Sequence, residues 1–221
     1  MRGRSLLAKQ IFAEGGKIMK NTNTNTKRIS ARLVAGCGML TAAAVVLQFL
    51  EIPIPFIPSF IKLDFSDLPE LIGAFAYGPL AGVVIALIKN LIHLAVSQSG
   101  YIGELSNFIL GAVFSGVAGL IYQKHRTMKG ALVGGVVGAV VMALVSFPSN
   151  LYIVYPFYYN FMPKEVVLQA YQTIVPAMKS IEQSLLVFNL PFTFIKGLLC
   201  VVISMLIYKP LRPILKGKEH N

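Results

Sequence analysis

The chain has no tryptophan, two cysteines and three histidines, and only 13% of its 221 residues are charged. Each shortage excludes something. A soluble domain is about 25% Asp, Glu, Lys and Arg. A far smaller charged share, with 55% apolar residues and a mean hydropathy of +0.68, describes an integral membrane protein whose solvent is the bilayer. Cys37 and Cys200 both lie inside apolar runs, so no disulfide framework is expected and no redox compartment can be read from them. Without tryptophan, any interfacial aromatic belt must come from Tyr and Phe. No Gly-rich loop ends in Lys-Ser/Thr, so the chain cannot hydrolyse ATP by itself. Scattered His and isolated Cys offer no metal-ligand spacing. No nucleophile stands beside an evident base, and the paired His and Glu of intramembrane proteases are missing. An enzyme, a metal site and a resident cofactor are therefore not expected.

What the chain has in excess is positive charge, +11 in all. In a soluble protein that balance would suggest nucleic acid. Here the basic residues sit at the ends of apolar segments, which is the pattern of membrane topology. The stretch from Lys62 to Ser97, KLDFSDLPELIGAFAYGPLAGVVIALIKNLIHLAVS, organises the rest. As one helix, Leu68 to Ser97 would run ~45 Å at ~1.5 Å per residue, well beyond a ~30 Å hydrocarbon core. Gly78-Pro79 interrupts it, because proline cannot continue the helix ladder and pushes the preceding residue out of the α region. The break predicts a hairpin between a short membrane segment, Leu68 to Tyr77, and a full one, Pro79 to Ser97.

The remaining segments are Ala31 to Leu50, Glu104 to Tyr122, Gly130 to Phe147 and Leu185 to Tyr208, making six. With six, the N-terminal region, the loop at Lys124 to Lys129 and the C-terminal tail share one side, which holds 15 of the 20 Lys and Arg. Fusing the hairpin into one span would move that loop and the tail outside, against the positive-inside rule. The expected fold is an all-α integral membrane protein: a six-transmembrane-helix bundle over residues 31–208 with both termini cytoplasmic. A disordered basic tail over residues 1–30, with an Asn-Thr repeat at 21–26, precedes it. A basic cytoplasmic tail at 209–221 follows. Met19-Lys20 offers a second start, which would make residues 1–18 an extension.

Small residues recur at a spacing of four in three segments: Ala31, Ala35 and Ala43 with Met39 between them, Gly111, Ser115 and Gly119, and Gly130, Gly134 and Gly138. Such stripes let helices approach closely, within the bundle or against a partner. Pro53, Pro55 and Pro58 forbid a regular helix over EIPIPFIPSFIKLDFS, and an apolar loop of this kind must pack on the bundle or on a ligand. The aromatic run from Tyr152 to Phe161 reads as interfacial anchoring. Val167, Tyr171 and Ile174 share one face of a short helix that Pro176 stops, lying at the interface.

The polar residues inside apolar segments point to the site. Asn189, Thr193 and Lys196 fall on one helical face. A lysine eleven residues into the sixth segment is ~16 Å deep, where the lenient insertion scale charges about 2.5–3.5 kcal/mol. It must be paired with a carboxylate or helix-end carbonyls, or face a wet cavity or polar ligand. The shared face, with Asn150 converging from the fifth segment, favours the ligand. For Lys89 and His93 the preference reverses: with Asp64 or Asp67 neutralising the charge, they form a structural polar cluster. Asn107 sits near the outer end of the fourth segment.

KLDFSDLPELIGAFAYGPLAGVVIALIKNL resembles the signature region of the RibU-type proteins, the riboflavin-specific substrate-binding (S) components of energy-coupling factor (ECF) transporters in Gram-positive bacteria. SNLYIVYPFYY and PFTFIKG are similar to later family segments. The resemblance implies a six-helix protein of the cell membrane that captures riboflavin outside, between the first loop and the outer ends of helices four to six. It also implies partners: a membrane coupling subunit, facing Ala31, Ala35 and Ala43, and two cytoplasmic ATPases that power inward release. By position, Asn150 and Lys196 match residues that hold flavin, Asn107 has a similar place, and the loop around Lys62 closes over the ring. Phe56 and Tyr155 complete the expected substrate-binding set. Thr193 departs from the asparagine expected there; it keeps one donor and acceptor, and Asn189 one turn earlier is placed to compensate. Physically, isoalloxazine is a flat apolar plate with a polar edge, suited to an apolar pocket with a few amides, and the ribityl hydroxyls need inward-pointing donors and acceptors, which Asn150, Thr193 and Lys196 can supply. Flavin mononucleotide, or another vitamin for a related S component, differs only in pocket chemistry. The rival of another class is a self-sufficient proton-coupled secondary transporter using Lys89, His93 or Lys196, but the paired inverted repeats frequent in that class are not visible.

Overall fold

The computed structural model describes residues 31–58, 60–97 and 100–216, with side chains to residue 207. The expected N-terminal tail with its Asn-Thr repeat, and the end of the C-terminal tail, lie outside the described residues. Helix α1 (Ala31–Phe49) leads into a loop that carries a minimal antiparallel ribbon of β1 (Ile52–Pro53) and β2 (Lys62–Leu63), with Ile52 opposite Leu63 and Pro53 opposite Lys62. Then come α2 (Asp67–Tyr77), α3 (Pro79–His93), α4 (Ile102–Lys124), α5 (Met128–Ser149), α6 (Tyr155–Tyr158), α7 (Lys164–Gln172), α8 (Ile181–Ser184) and α9 (Leu190–Lys216). Among the described residues, five stretches are long and apolar enough to cross a membrane: Ala31–Phe49, Pro79–Val96, Ile102–Lys124, Met128–Tyr158 and Ile181–Ile207.

The short segment is the exception and the centre of the bundle. Gly78, at φ +107°, separates α2 from α3 in a conformation that a side chain would strain. Eleven residues span only ~16 Å, so α2 does not cross the bilayer on length alone. Every residue from Asp67 to Phe75 is buried, because α2 packs against α3, α4 and α9 at once. A helix covered all round belongs in a core, and α2 brings two carboxylates into this one.

The small-residue stripes of α4 and α5 turn inward. A Cβ on Gly111 would stand 2.4 Å from Glu70 Oε2, and one on Gly138 would stand 2.8 Å from the Phe114 carbonyl oxygen. These glycines therefore set how closely α4 meets α2 and α5 meets α4. On α1 the arrangement is opposite: Ala31, Ala35, Met39 and Ala43 are exposed, while Gly36, Thr41, Ala44 and Gln48 are buried.

Two helices run further than the sequence suggested. Pro148 does not end α5; a π-helical turn, Asn150–Val154, carries it into α6. A second π-helical turn, Leu185–Asn189, joins α8 to α9. Pro156 and Pro191 lie just beyond these turns, and each lacks the N–H that an α ladder would direct to the carbonyl four residues back. The helix holding Lys196 thus begins at Ile181 rather than Leu185, and the lysine is ~22 Å along it.

Candidate functional site

Between the ribbon loop and the ends of α1, α3, α4, α6 and α9 lies a cavity of about 810 Å³, within the roughly 300–1,000 Å³ range of small-molecule sites. Of the residues expected to bind substrate, Asn107, Asn150, Thr193, Lys196, Asn189, Lys62 and Tyr155 line it. Phe56 does not: it sits at the ribbon turn with φ +66° and is 83% exposed. Phe60 lines the cavity instead, 5.7 Å from the Tyr171 ring in an edge-on contact. With alternating prolines, the loop's sequence could not tell which of its aromatic residues folds inward.

The two asparagines owe their placement to the π-helical turns, which begin at Asn150 and end at Asn189. Asn150 Nδ2 donates to the Ser146 carbonyl at 2.8 Å. Asn189 Oδ1 accepts from the Tyr171 hydroxyl at 2.8 Å, and that hydroxyl also bonds the Tyr155 hydroxyl. Burial first, and then Tyr155 alongside, push the Tyr171 hydroxyl well up, so it stays a neutral donor. Tyr171→Phe is expected to cost about 1 kcal/mol, read as a lowered thermal midpoint in detergent, and to release the Asn189 amide. An unchanged midpoint would remove Tyr171 from this role.

Beneath the cavity is a buried ionic cluster. Lys196 Nζ lies 3.0 Å from Asp64 Oδ2 and 2.9 Å from Asp67 Oδ2. Lys89 Nζ lies 3.1 Å from Asp67 Oδ1 and 2.6 Å from Glu70 Oε1, the latter an ion pair without hydrogen-bond alignment, and it donates to Ser66 Oγ. The Ser66 amide and hydroxyl both donate to Asp64 Oδ1. Asp67 thus bridges the two lysines, and three carboxylates from the loop and α2 share two ammonium groups from α3 and α9. Burial alone would raise the Asp64 carboxyl in the loop; Lys196 and then Lys89 overcome that and hold it well below the usual carboxylate range.

The structure therefore gives Lys196 both of the partners the sequence considered, a carboxylate cage and a cavity. Its ammonium has three N–H groups; one donates to Asp64, and Asp67 is an ion-pair partner. Lys89 is fully buried and does not line the cavity. His93 departs from the expected cluster. Its Nδ1–H donates to Glu104 Oε1 at 2.9 Å, on the cavity wall. Glu70, Ser66 and Glu104 were not singled out from the sequence. The signal for Glu70 was its place three residues after Asp67, on one helical face; nothing local marked Glu104.

Comparison with known proteins bears on all of this. Residues 32–208 match the family model described as "ECF transporter, substrate-specific component". The chain is 33% identical over 178 residues to the Staphylococcus aureus protein named riboflavin transporter RibU, covering 80% of this chain and 89% of that one. It is 30% identical over 178 residues to the Bacillus subtilis riboflavin transporter FmnP, covering 79% of this chain and 89% of the relative. A solved structure described as the S component of a bacterial ECF transporter superposes with a TM-score of 0.65 at 33% identity, over 83% of this chain and 97% of that one.

Proposed function

Starting from a chain that belongs to the substrate-specific components of ECF transporters, we propose that it binds riboflavin in the cavity above the Lys196 cluster and serves its uptake. The observation that carries this reading is the chemistry of the lining. Apolar and aromatic side chains, among them Phe49, Phe60, Leu110, Met142, Tyr158 and Phe192, line the cavity together with three amides, a hydroxyl and an ammonium: Asn107, Asn150, Asn189, Thr193 and Lys196. A planar ring with a polar edge needs both kinds of surface.

In this proposal Lys196, Asn150 and Thr193 hold the polar edge of the ring, and the loop around Lys62 covers it. The Lys62–Glu51 pair, 2.5 Å apart on the ribbon, ties the two strands of that cover together. The topology is six segments with both termini cytoplasmic, α2 serving as the short second one, so the cavity opens to the outside of the cell membrane. Inward release depends on a membrane coupling subunit and two ATPases, and the exposed Ala31, Ala35 and Ala43 stripe is the surface on α1 suited to the coupling subunit.

Protein purified in detergent from cells grown with riboflavin is expected to be yellow, and flavin-free protein to quench riboflavin fluorescence saturably. Colourless protein that fails to quench would sink the proposal.

A further inference from the structure

The ring-holding residues occupy the part of the cavity formed by α6, α9 and the π-helical turns. The wall contributed by α1, α3 and α4 has a different chemistry. Gln48, on α1, is buried and lines the cavity; its Nε2 is committed to Asn90 Oδ1 at 3.1 Å, while its Oε1 has no hydrogen-bond partner among the described residues. A buried, unpaired acceptor is expensive. His93 lies on the same wall, its ring 5.3 Å from Phe49, the next residue after Gln48. Glu104 accepts its Nδ1–H, as well as the Ser97 hydroxyl at 2.8 Å. In a neutral imidazole that assignment leaves the lone pair on Nε2, so His93 too is an acceptor.

We infer that Gln48 and His93, the latter oriented by Glu104, form a second subsite that accepts hydrogen bonds from the hydroxyl-bearing chain of a neutral ligand and disfavours an anionic phosphate ester of it. This rests on the flavin reading above and adds the part of the ligand that reading leaves unplaced. The charge of the lining points the same way. Among the described residues it carries four carboxylates (Glu51, Asp64, Asp67 and Glu104) against two ammonium groups, Lys62 and Lys196. A terminal phosphate would add roughly −1.5 to −2 charge beside Glu104.

The test compares three probes on flavin-free protein: riboflavin, lumiflavin (the same ring without hydroxyls) and flavin mononucleotide. Gln48→Met removes the acceptor, and Glu104→Gln removes the charge and no longer fixes the imidazole tautomer, because an amide can either accept from Nδ1–H or donate to a bare Nδ1. Each is expected to weaken riboflavin roughly two- to tenfold, the equivalent of one hydrogen bond, and to leave lumiflavin unchanged. Glu104→Gln should also narrow the wild-type preference for riboflavin over flavin mononucleotide. Because only folded protein binds lumiflavin, the ratio of the two affinities is insensitive to partial misfolding. Equal losses for riboflavin and lumiflavin, or no loss for either, would overturn the subsite. Wild-type protein that binds riboflavin no tighter than lumiflavin would overturn it while leaving the flavin reading intact. Wild-type protein that binds no flavin overturns both.

Discussion

Lys89→Ala is expected to be the most destabilising single substitution in this protein. The lysine is fully buried between Asp67 and Glu70. Removing one partner of a buried ion pair costs about 3–5 kcal/mol, because the charge left behind has neither water nor a counter-ion. Here two carboxylates lose a cation, and Lys196 remains to cover only Asp67. Thermal unfolding followed by size-exclusion chromatography in detergent reads the effect. A double substitution separates charge from volume: Lys89→Met with Glu70→Leu removes one charge of each sign and is expected to recover much of the loss, since an apolar pair often replaces a buried ion pair at little cost. If Lys89→Ala is as stable as wild type, or the double variant is no better than Lys89→Met alone, the cluster does not hold the bundle as described.

The second large effect is on binding. The Lys196→Ala, Asn150→Ala double variant is expected to lose about 30- to 1,000-fold in riboflavin affinity. A hydrogen bond from a charged donor is worth about 1.5–3 kcal/mol and a neutral one about 0.5–1.5, and each 1.4 kcal/mol is roughly tenfold. Lys196 also neutralises Asp64 and Asp67, so alanine there threatens folding as well. Lys196→Met combined with Asp64→Asn removes the ammonium while sparing the protein an unmatched carboxylate, and the same fall in affinity is expected with a smaller change in thermal midpoint. Affinity retained in both variants would make Lys196 a counter-ion and nothing more.

These two lysines show what was legible before the structure. Both stand in apolar runs, both are costly in lipid, and each needed either a partner or a cavity; that disjunction follows from residue chemistry alone. Which alternative applies to which lysine depends on where a loop and a short helix carry their carboxylates. Asp64 and Lys196 are 132 positions apart, and no local pattern links them. Glu104 was invisible for a different reason, since His93 and Ser97 are only 11 and 7 positions away: a carboxylate at the start of a helix looks like an ordinary solvent-facing group until they are seen against it. Phe56 and Phe60 were indistinguishable as sequence, since a proline-rich loop has no periodicity that assigns a face.

The membrane character, the helical class, the break at Gly78-Pro79 and the polar face of the last segment were determined by the sequence alone. Hydropathy, proline's missing N–H and the 3.6-residue repeat are local properties that no packing arrangement can undo. The tertiary structure decided the burial of α2, the continuation of α5 and α9 through π-helical turns, the pairing within the ionic cluster and the shape of the cavity. Those depend on contacts between residues far apart in the chain, where close approach at glycines such as Gly111 and Gly138 determines which side chains can meet.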